Sequence, residues 1–266
     1  MTPLAAPRTR SRAGLGVSAP RPDGTAKVKG RFAFSSDLWA EGMLWGATLR
    51  APMAAARIRR VDISPALRLA GVRGVVTAVD VPGSPTYGLD VADQPVFASD
   101  VVRYAGEPIA AIAADHPDTA RRAAAAILVE YEALDALVDP EVAIEAAPIH
   151  PLGNVVRHQV IRHGDLGATG VVVVEGTYVV GMQDQAFLGP ESGLAIPADD
   201  GGIDLYVSTQ WLHSDRDQIA ACLGLPDEKV RITLGGVGGA FGAREDLSLH
   251  VHVAMLAQHK IGRAHV

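Results

Sequence analysis

A glycine-rich run at residues 235–245, GGVGGAFGARE, carries the clearest chemical pattern in the sequence. Before it, the alternating apolar residues of 230–234 predict a strand, and after it the apolar residues from Leu247 to Leu256 predict a helix. A bare glycine turn at a helix N-terminus points backbone N–H groups at whatever binds there. The pattern therefore predicts a site for an anionic group, such as a phosphate or an oxo ligand.

The run does not match the common nucleotide-binding motifs. A dinucleotide fingerprint needs G-x-G-x-x-G, but the register starting at Gly236 places Phe241 where the third glycine belongs. A P-loop ends in Gly-Lys-Ser/Thr, and the sequence contains no such triplet. On the residues alone, a plain glycine-rich turn remains open as an alternative.

Polar side chains at predicted strand ends and helix starts are further candidates, because α/β folds place ligand sites there. Gln210 ends the predicted strand 206–209, Gln183 and Asp184 follow the predicted strand 171–180, and Glu245 opens the predicted helix. Each has a simpler interpretation. Gln210 can hydrogen-bond to loop backbone, and carboxylates such as Glu245 are common in first helical turns because of the helix dipole.

The histidines and the cysteine do not predict a protein-held metal. His250 and His252 are two residues apart, so they do not share a helix face. Cys222 is the single cysteine, which excludes internal disulfides and any cysteine-built cluster within these residues.

Composition sets the class of protein. The 266 residues are 48% hydrophobic and 20% charged, as in a soluble globular protein. The net charge is −6 and the pI is about 5.8, so we expect no nucleic-acid partner. No apolar run is long enough to span a membrane, and residues 1–12 carry three arginines without the apolar core of a secretory signal. We expect a cytoplasmic protein with no membrane contact.

The pattern along the chain predicts an α/β fold (α+β, with mixed sheets) in two units. Residues 1–23 are predicted to be a flexible arm, 24–140 a first unit, 141–157 a linker and 158–266 a second unit. Pro108–Ala114 is predicted to be a buried strand, followed by a helix to Ala126 and a strand with one wet face. In the second unit we predict a hairpin around 199–202 and a helix that ends at Gly224.

These motifs together resemble one family. Ser208-Thr209-Gln210, followed 31 positions after Gln210 by Phe241 within GGAFGARE, resembles the molybdenum-binding subunit of the xanthine dehydrogenase and aldehyde oxidase (molybdenum hydroxylase) family. The separate molybdenum chain of bacterial xanthine dehydrogenases is the most similar type. YAGEPIA at 104–110 resembles the family's N-terminal a/b hammerhead domain, and QDQAFLGPE at 183–191 resembles its Gln-Glu-His segment, with Gln185 where His is commoner.

The resemblance implies a fold, a cofactor and roles for residues. The first unit would be the a/b hammerhead domain, and the second the first part of the molybdopterin-binding domain. The cofactor would be molybdopterin (a molybdenum pyranopterin), with its cytosine dinucleotide form as one alternative. Gln210 would hydrogen-bond an oxo ligand of the metal, and Glu245 would bind and polarise a purine-like substrate. The backbone of Gly238, Gly239, Ala240, Phe241 and Gly242 would pass close to the cofactor, and Phe241 would approach the metal.

The family also implies partners and a longer protein. Electrons would pass to [2Fe–2S] clusters and FAD, which we expect on an iron–sulfur subunit and an FAD subunit of the same complex. The family's molybdenum region continues for several hundred residues, so we interpret this chain as a truncated N-terminal part that is inactive alone. The last three residues, 264–266, are not expected to form a strand.

The function implied is hydroxylation of a purine such as xanthine or hypoxanthine, in purine catabolism, with oxygen taken from water. Two alternatives stay open at this point. One is an aldehyde or carbon monoxide dehydrogenase of the same family. The other is of a different class, a non-catalytic module that assembles such a complex.

Overall fold

The computed structural model describes residues 16, 18–165, 167–261 and 264–265, and the side chains of 260, 261, 264 and 265 lie outside the description. Most of the predicted arm therefore lies outside the described residues. The helices are short and lie between the strands of three sheets. They are α1 (Gly24–Val28), α2 (Ser64–Leu67), α3 (Pro117–Ala126), α4 (Pro140–Glu145), α5 (Leu212–Leu223) and α6 (His250–Leu256).

Twelve strands are present in the described residues. They are β1 (Leu44–Arg50), β2 (Ala56–Asp62), β3 (Val72–Thr77), β4 (Thr86–Tyr87), β5 (Gln94–Pro95), β6 (Val101–Val102), β7 (Pro108–Ala114), β8 (Leu128–Ala133), β9 (Gly193–Pro197), β10 (Ile203–Val207), β11 (Val230–Leu234) and β12 (Ala264–His265). The mixed α and β architecture is confirmed, and so are the predicted strands β7 and β11.

The largest sheet crosses the predicted linker. Its order is β11-β10-β9-β12-β1-β7-β3, so strands of both predicted units lie in one sheet. The two-residue strand β12 joins them, parallel to β1 and antiparallel to β9. The expectation that 264–266 form no strand is therefore wrong for Ala264 and His265, because the edges of β1 and β9 both offer them backbone partners. The domain boundaries themselves remain a prediction.

Helix α6 is buried all round, which is typical of a helix in the centre of a core. The main core cluster combines Ala111 and Ala113 of β7 with Leu205 of β10 and with Val253 and Leu256 of α6. The two predicted units thus share an apolar core as well as a sheet. None of the helices in the described part of the chain is long and apolar enough to cross a membrane.

Two further sequence predictions are wrong. The strand predicted at 171–180 is absent, and Val171–Val174 and Tyr178–Val180 are exposed. A strand needs a backbone partner, and the described residues offer this segment none. The helix predicted after the glycine run begins only at His250. Leu247 and Leu249 are buried without being helical, and their two-residue spacing does not require a helix.

Candidate functional site

The candidate site lies where two neighbouring strands end. β10 and β11 are parallel, so Ser208–Gln210 and the glycine run leave the same edge of the sheet. The N–H group of Gly235 donates to the Val207 carbonyl at 2.7 Å, and the N–H group of Gln210 donates to the Arg244 carbonyl at 3.3 Å. These bonds hold the beginning and the end of the run against the end of β10.

One side of the glycine run packs directly on other backbone. A Cβ at Gly238 would clash with the backbone nitrogen of Gly189, and a Cβ at Gly236 would clash with the carbonyl of Ala33. The N–H group of Leu188 also donates to the Gly238 carbonyl at 3.1 Å. These glycines are therefore needed for close packing between chain segments. The 183–191 segment, singled out in the sequence, lies beside the run as a result.

The other part of the run leaves backbone donors available. Gly239 and Gly242 have φ of +109° and +86°, and Phe241 has φ of +54°, which is uncommon for a residue with a side chain. A Cβ at Gly242 would meet nothing within 4 Å. Among the described residues, we find no acceptor for the N–H groups of Gly239–Gly242. Free donors in a left-handed turn are suited to an anionic group.

The donors come from the loop and not from a helix. We expected Glu245 to open a helix, but α6 begins five residues later, so the helix dipole does not act on Glu245. Gln210 is exposed at the strand end. Phe241 is 73% exposed, so the described part of the polypeptide does not enclose it.

A buried polar network lies directly behind Gln210. The hydroxyl of Thr209 donates to Asp215 Oδ2 and accepts from the N–H group of Trp211 at 3.1 Å. Asp215 lies in the first turn of α5 and is 1% exposed, and burial raises the pKa of its carboxyl to about 6. Ser208 donates to the Gly236 carbonyl at 2.8 Å. The residues on both sides of Gln210 in this turn are thus fixed while its own side chain stays free.

Glu245 lines a cleft of about 920 Å³, which we name the Glu245 cleft. Its lining includes the carboxylates Asp90, Asp93, Glu245 and Asp246, and the described lining residues include no lysine or arginine. His150 Nε2 lies 2.8 Å from Asp93 Oδ2. Neither Gln210 nor Phe241 lines this cleft. The backbone of Arg244 links Glu245 to Gln210, because its carbonyl accepts the N–H group of Gln210.

Sequence reasoning missed the buried charges of the site. Arg244 is 3% exposed and its Nη1 lies 2.6 Å from Glu191 Oε1. Asp215 was also missed. A charged residue at the end of the glycine run could have marked Arg244 as a candidate. Its partner is 53 residues away, however, and no local pattern predicts that pairing.

Two family descriptions match the chain. Residues 29–135 match "Aldehyde oxidase and xanthine dehydrogenase, a/b hammerhead domain", and residues 149–264 match "Molybdopterin cofactor-binding domain". This chain belongs to the aldehyde oxidase and xanthine dehydrogenase family of molybdenum hydroxylases. The predicted hammerhead domain and the start of the molybdopterin-binding domain are confirmed by these matches.

Individual relatives cover the same region. A probable xanthine dehydrogenase subunit of Bacillus subtilis is 38% identical over 89% of this chain and 32% of its own length. The nicotinate dehydrogenase large molybdopterin subunit of Eubacterium barkeri is 34% identical over 92% of this chain and 59% of its own length. The aldehyde oxidoreductase structure from Desulfovibrio gigas superposes with a TM-score of 0.81 at 29% identity, over 92% of this chain and 29% of that one. The chain thus spans between about a third and three fifths of these two curated relatives.

The site fits the cofactor that the family match names. Free N–H groups at Gly239–Gly242 and the exposed amide of Gln210 are the donors that an anionic, oxygen-bearing group requires. These residues would hold the polar edge of molybdopterin, while its own dithiolene sulfurs would carry the metal. One side chain and four backbone N–H groups suited to this role leave the same edge of the sheet.

Proposed function

We propose that this chain forms the substrate-facing part of a molybdenum hydroxylase that oxidises a purine-like ring. The observation that carries the proposal is the edge of the sheet at which Gln210 and the free N–H groups of Gly239–Gly242 lie together. When bound, the cofactor supplies a two-electron oxidation in which the oxygen added to the substrate comes from water. The residues of this chain would bind and orient the cofactor and the substrate, and they would polarise the substrate.

Gln210 and the loop act on the cofactor side. The carboxamide of Gln210 would donate to an oxo ligand of the metal, and its backbone is fixed by the Arg244 carbonyl on one side and by the Thr209–Asp215 contact on the other. A donor held in advance at a polar ligand needs no reorganisation during the reaction. The N–H groups of Gly239, Ala240, Phe241 and Gly242 would add further donors along the same polar edge.

Glu245 acts on the substrate side. Its exposed carboxylate lines the Glu245 cleft and would accept hydrogen bonds from ring N–H groups. The four carboxylates and the lack of lysine or arginine in the described lining disfavour an anionic substrate. The cleft therefore supports a neutral purine over a ring that carries a carboxylate, such as the nicotinate named for one relative.

An aldehyde is the second candidate substrate, because an aldehyde oxidoreductase structure has the same fold over this region. An aldehyde has no ring N–H group for Glu245 to hold, so the two substrates make different demands on that residue. In either case the electrons leave through partners, which we propose to be an iron–sulfur subunit and an FAD subunit. Cys222 is the one cysteine in the sequence and it is buried, so it cannot build a cluster.

Replacing Gln210 tests the proposal. In the cofactor-loaded protein we expect Gln210→Ala to slow purine and aldehyde oxidation alike, on the order of tenfold to a hundredfold, because one hydrogen bond to a charged group is lost. Steady-state rates and molybdenum content of the purified variant measure this. Gln258→Ala, on the helical turn after α6, is the matched control and should change neither quantity. Unchanged rates in Gln210→Ala with unchanged metal content would place the reaction elsewhere.

A further inference from the structure

The side chain of Arg244 contacts two segments of the candidate site, residues 187–191 and the glycine run. Its Nη1 forms the ion pair with Glu191 at 2.6 Å, and its Nε donates to the Gly239 carbonyl at 3.0 Å. Its Nη2 donates to the Gly189 carbonyl, and its guanidinium lies over the Phe187 ring with 4.3 Å to the ring centroid. These contacts use the fork of the guanidinium and its flat face at the same time.

The backbone of Arg244 extends the same connection. Its carbonyl accepts the N–H group of Gln210, and the next residue along the chain is Glu245. On the other side, Ser248 donates to the second carboxylate oxygen of Glu191. One buried side chain therefore bridges the 187–191 segment and the glycine run, and its main chain continues to Gln210 and Glu245.

We propose that Arg244, together with its ion-pair partner Glu191, is the positioning pair that holds Gln210, the glycine run and Glu245 in one arrangement. The naming of those three segments as a site rests on the proposed function. Arg244 does not touch the substrate, since it is 3% exposed and its guanidinium faces protein groups. Its effect reaches the reaction only through the groups that it holds.

Hydrogen exchange of the full chain, without cofactor, tests the proposal. Arg244→Met removes the guanidinium, so we expect the hydrogen-bonded amides of Leu188, Gln210 and Ala243 to exchange faster, on the order of tenfold, through local opening. The amides of β10 should keep their native exchange rates, since the sheet does not depend on the Arg244 guanidinium. Arg231→Met is the matched control, because Arg231 pairs with Asp200 and Asp204 at half-exposed positions. It should leave Gln210 unchanged.

Two milder variants keep the test decisive if Arg244→Met does not fold. Glu191→Gln keeps the size of the side chain and removes the charge, and it should speed exchange at the same three amides. Arg244→Lys keeps the charge but cannot reach both carbonyls and the carboxylate, so its exchange should also exceed the native rate several-fold. Native exchange at Leu188, Gln210 and Ala243 in both variants would overturn the proposal. It would leave the proposed function standing, because that function depends on the Gln210→Ala rates in loaded protein.

Discussion

In a longer, cofactor-loaded protein that carries this region, Glu245→Gln should slow purine oxidation on the order of tenfold to a hundredfold while leaving oxidation of a simple aldehyde within about threefold. An ionised acceptor that faces the ring holds ring N–H groups and stabilises the charge that develops as oxygen adds to the ring carbon. Glutamine keeps the size of the side chain and removes the charge. The loss should therefore be confined to substrates that present ring N–H groups.

The oxidation rates of the purine and the aldehyde should be compared on the same preparation. The molybdenum content and the melting temperature of Glu245→Gln should match those of the native protein, because the Glu245 side chain is exposed. Glu228→Gln, an exposed carboxylate in the turn before β11, serves as the control and should alter neither rate. Equal slowing of purine and aldehyde, with metal content unchanged, would show that Glu245 does not select the substrate.

Acid should destabilise the folded chain through two buried histidines of α6. The pKa of His250 and of His252 is lowered to about 4, chiefly by burial, and the charge of Arg244 contributes to the lowering at His250. His252 is also held by its Nε2, 2.9 Å from the Val96 carbonyl, and by stacking on Phe97 with 4.6 Å between ring centroids. It thus connects α6 to residues of the first predicted unit.

The direction of the effect follows from proton binding. In the unfolded chain each imidazole takes up a proton near pH 6.5, whereas in the folded chain it does so only near pH 4. The contribution of each neutral histidine to the free energy of unfolding is therefore fully present above pH 6.5. It falls by about 3 kcal/mol for each histidine as the pH falls towards 4. Asp215 acts in the opposite sense, because its pKa is raised to about 6 and its protonation favours the folded state between pH 6 and 4.

Urea unfolding at pH 7 and pH 4 of the native chain and of His252→Phe isolates one of these contributions. The variant loses a hydrogen bond and should be less stable at pH 7. On acidification to pH 4, however, its free energy of unfolding should fall by about 3 kcal/mol less than that of the native chain. His213→Ala, at an exposed position in α5, should follow the native pH dependence. An identical acid loss in the native chain and in His252→Phe would contradict the account of the buried imidazole.

The parts of the fold that the sequence predicts well are those with strong local patterns. The uninterrupted apolar run Pro108–Ala114 predicts β7, and the alternation from Val230 to Leu234 predicts β11. Gly224 ends α5 in the left-handed conformation, with φ of +61°, as its glycine predicts. The position of Gln210 beside the glycine run follows from two parallel strands that end at one edge.

The parts that the sequence does not predict depend on contacts between distant residues. The ion pair of Arg244 with Glu191 and the bridging strand β12 join segments far apart in the chain. The valines of 171–180 have a strand composition, but composition alone cannot supply the backbone partner that a strand requires. The sequence predicts the start of α6 too early, because apolar residues two apart can be buried in an irregular segment as well as in a helix.

Locating the metal tests the central claim most directly. Crystals of the cofactor-loaded protein, measured above and below the molybdenum absorption edge, give the position of the metal without reference to any assumed site. We predict a single anomalous peak beside the Gln210 side chain, on the side of the loop where the N–H groups of Gly239–Gly242 are free. A molybdenum peak remote from Gln210 and from that loop would contradict the account.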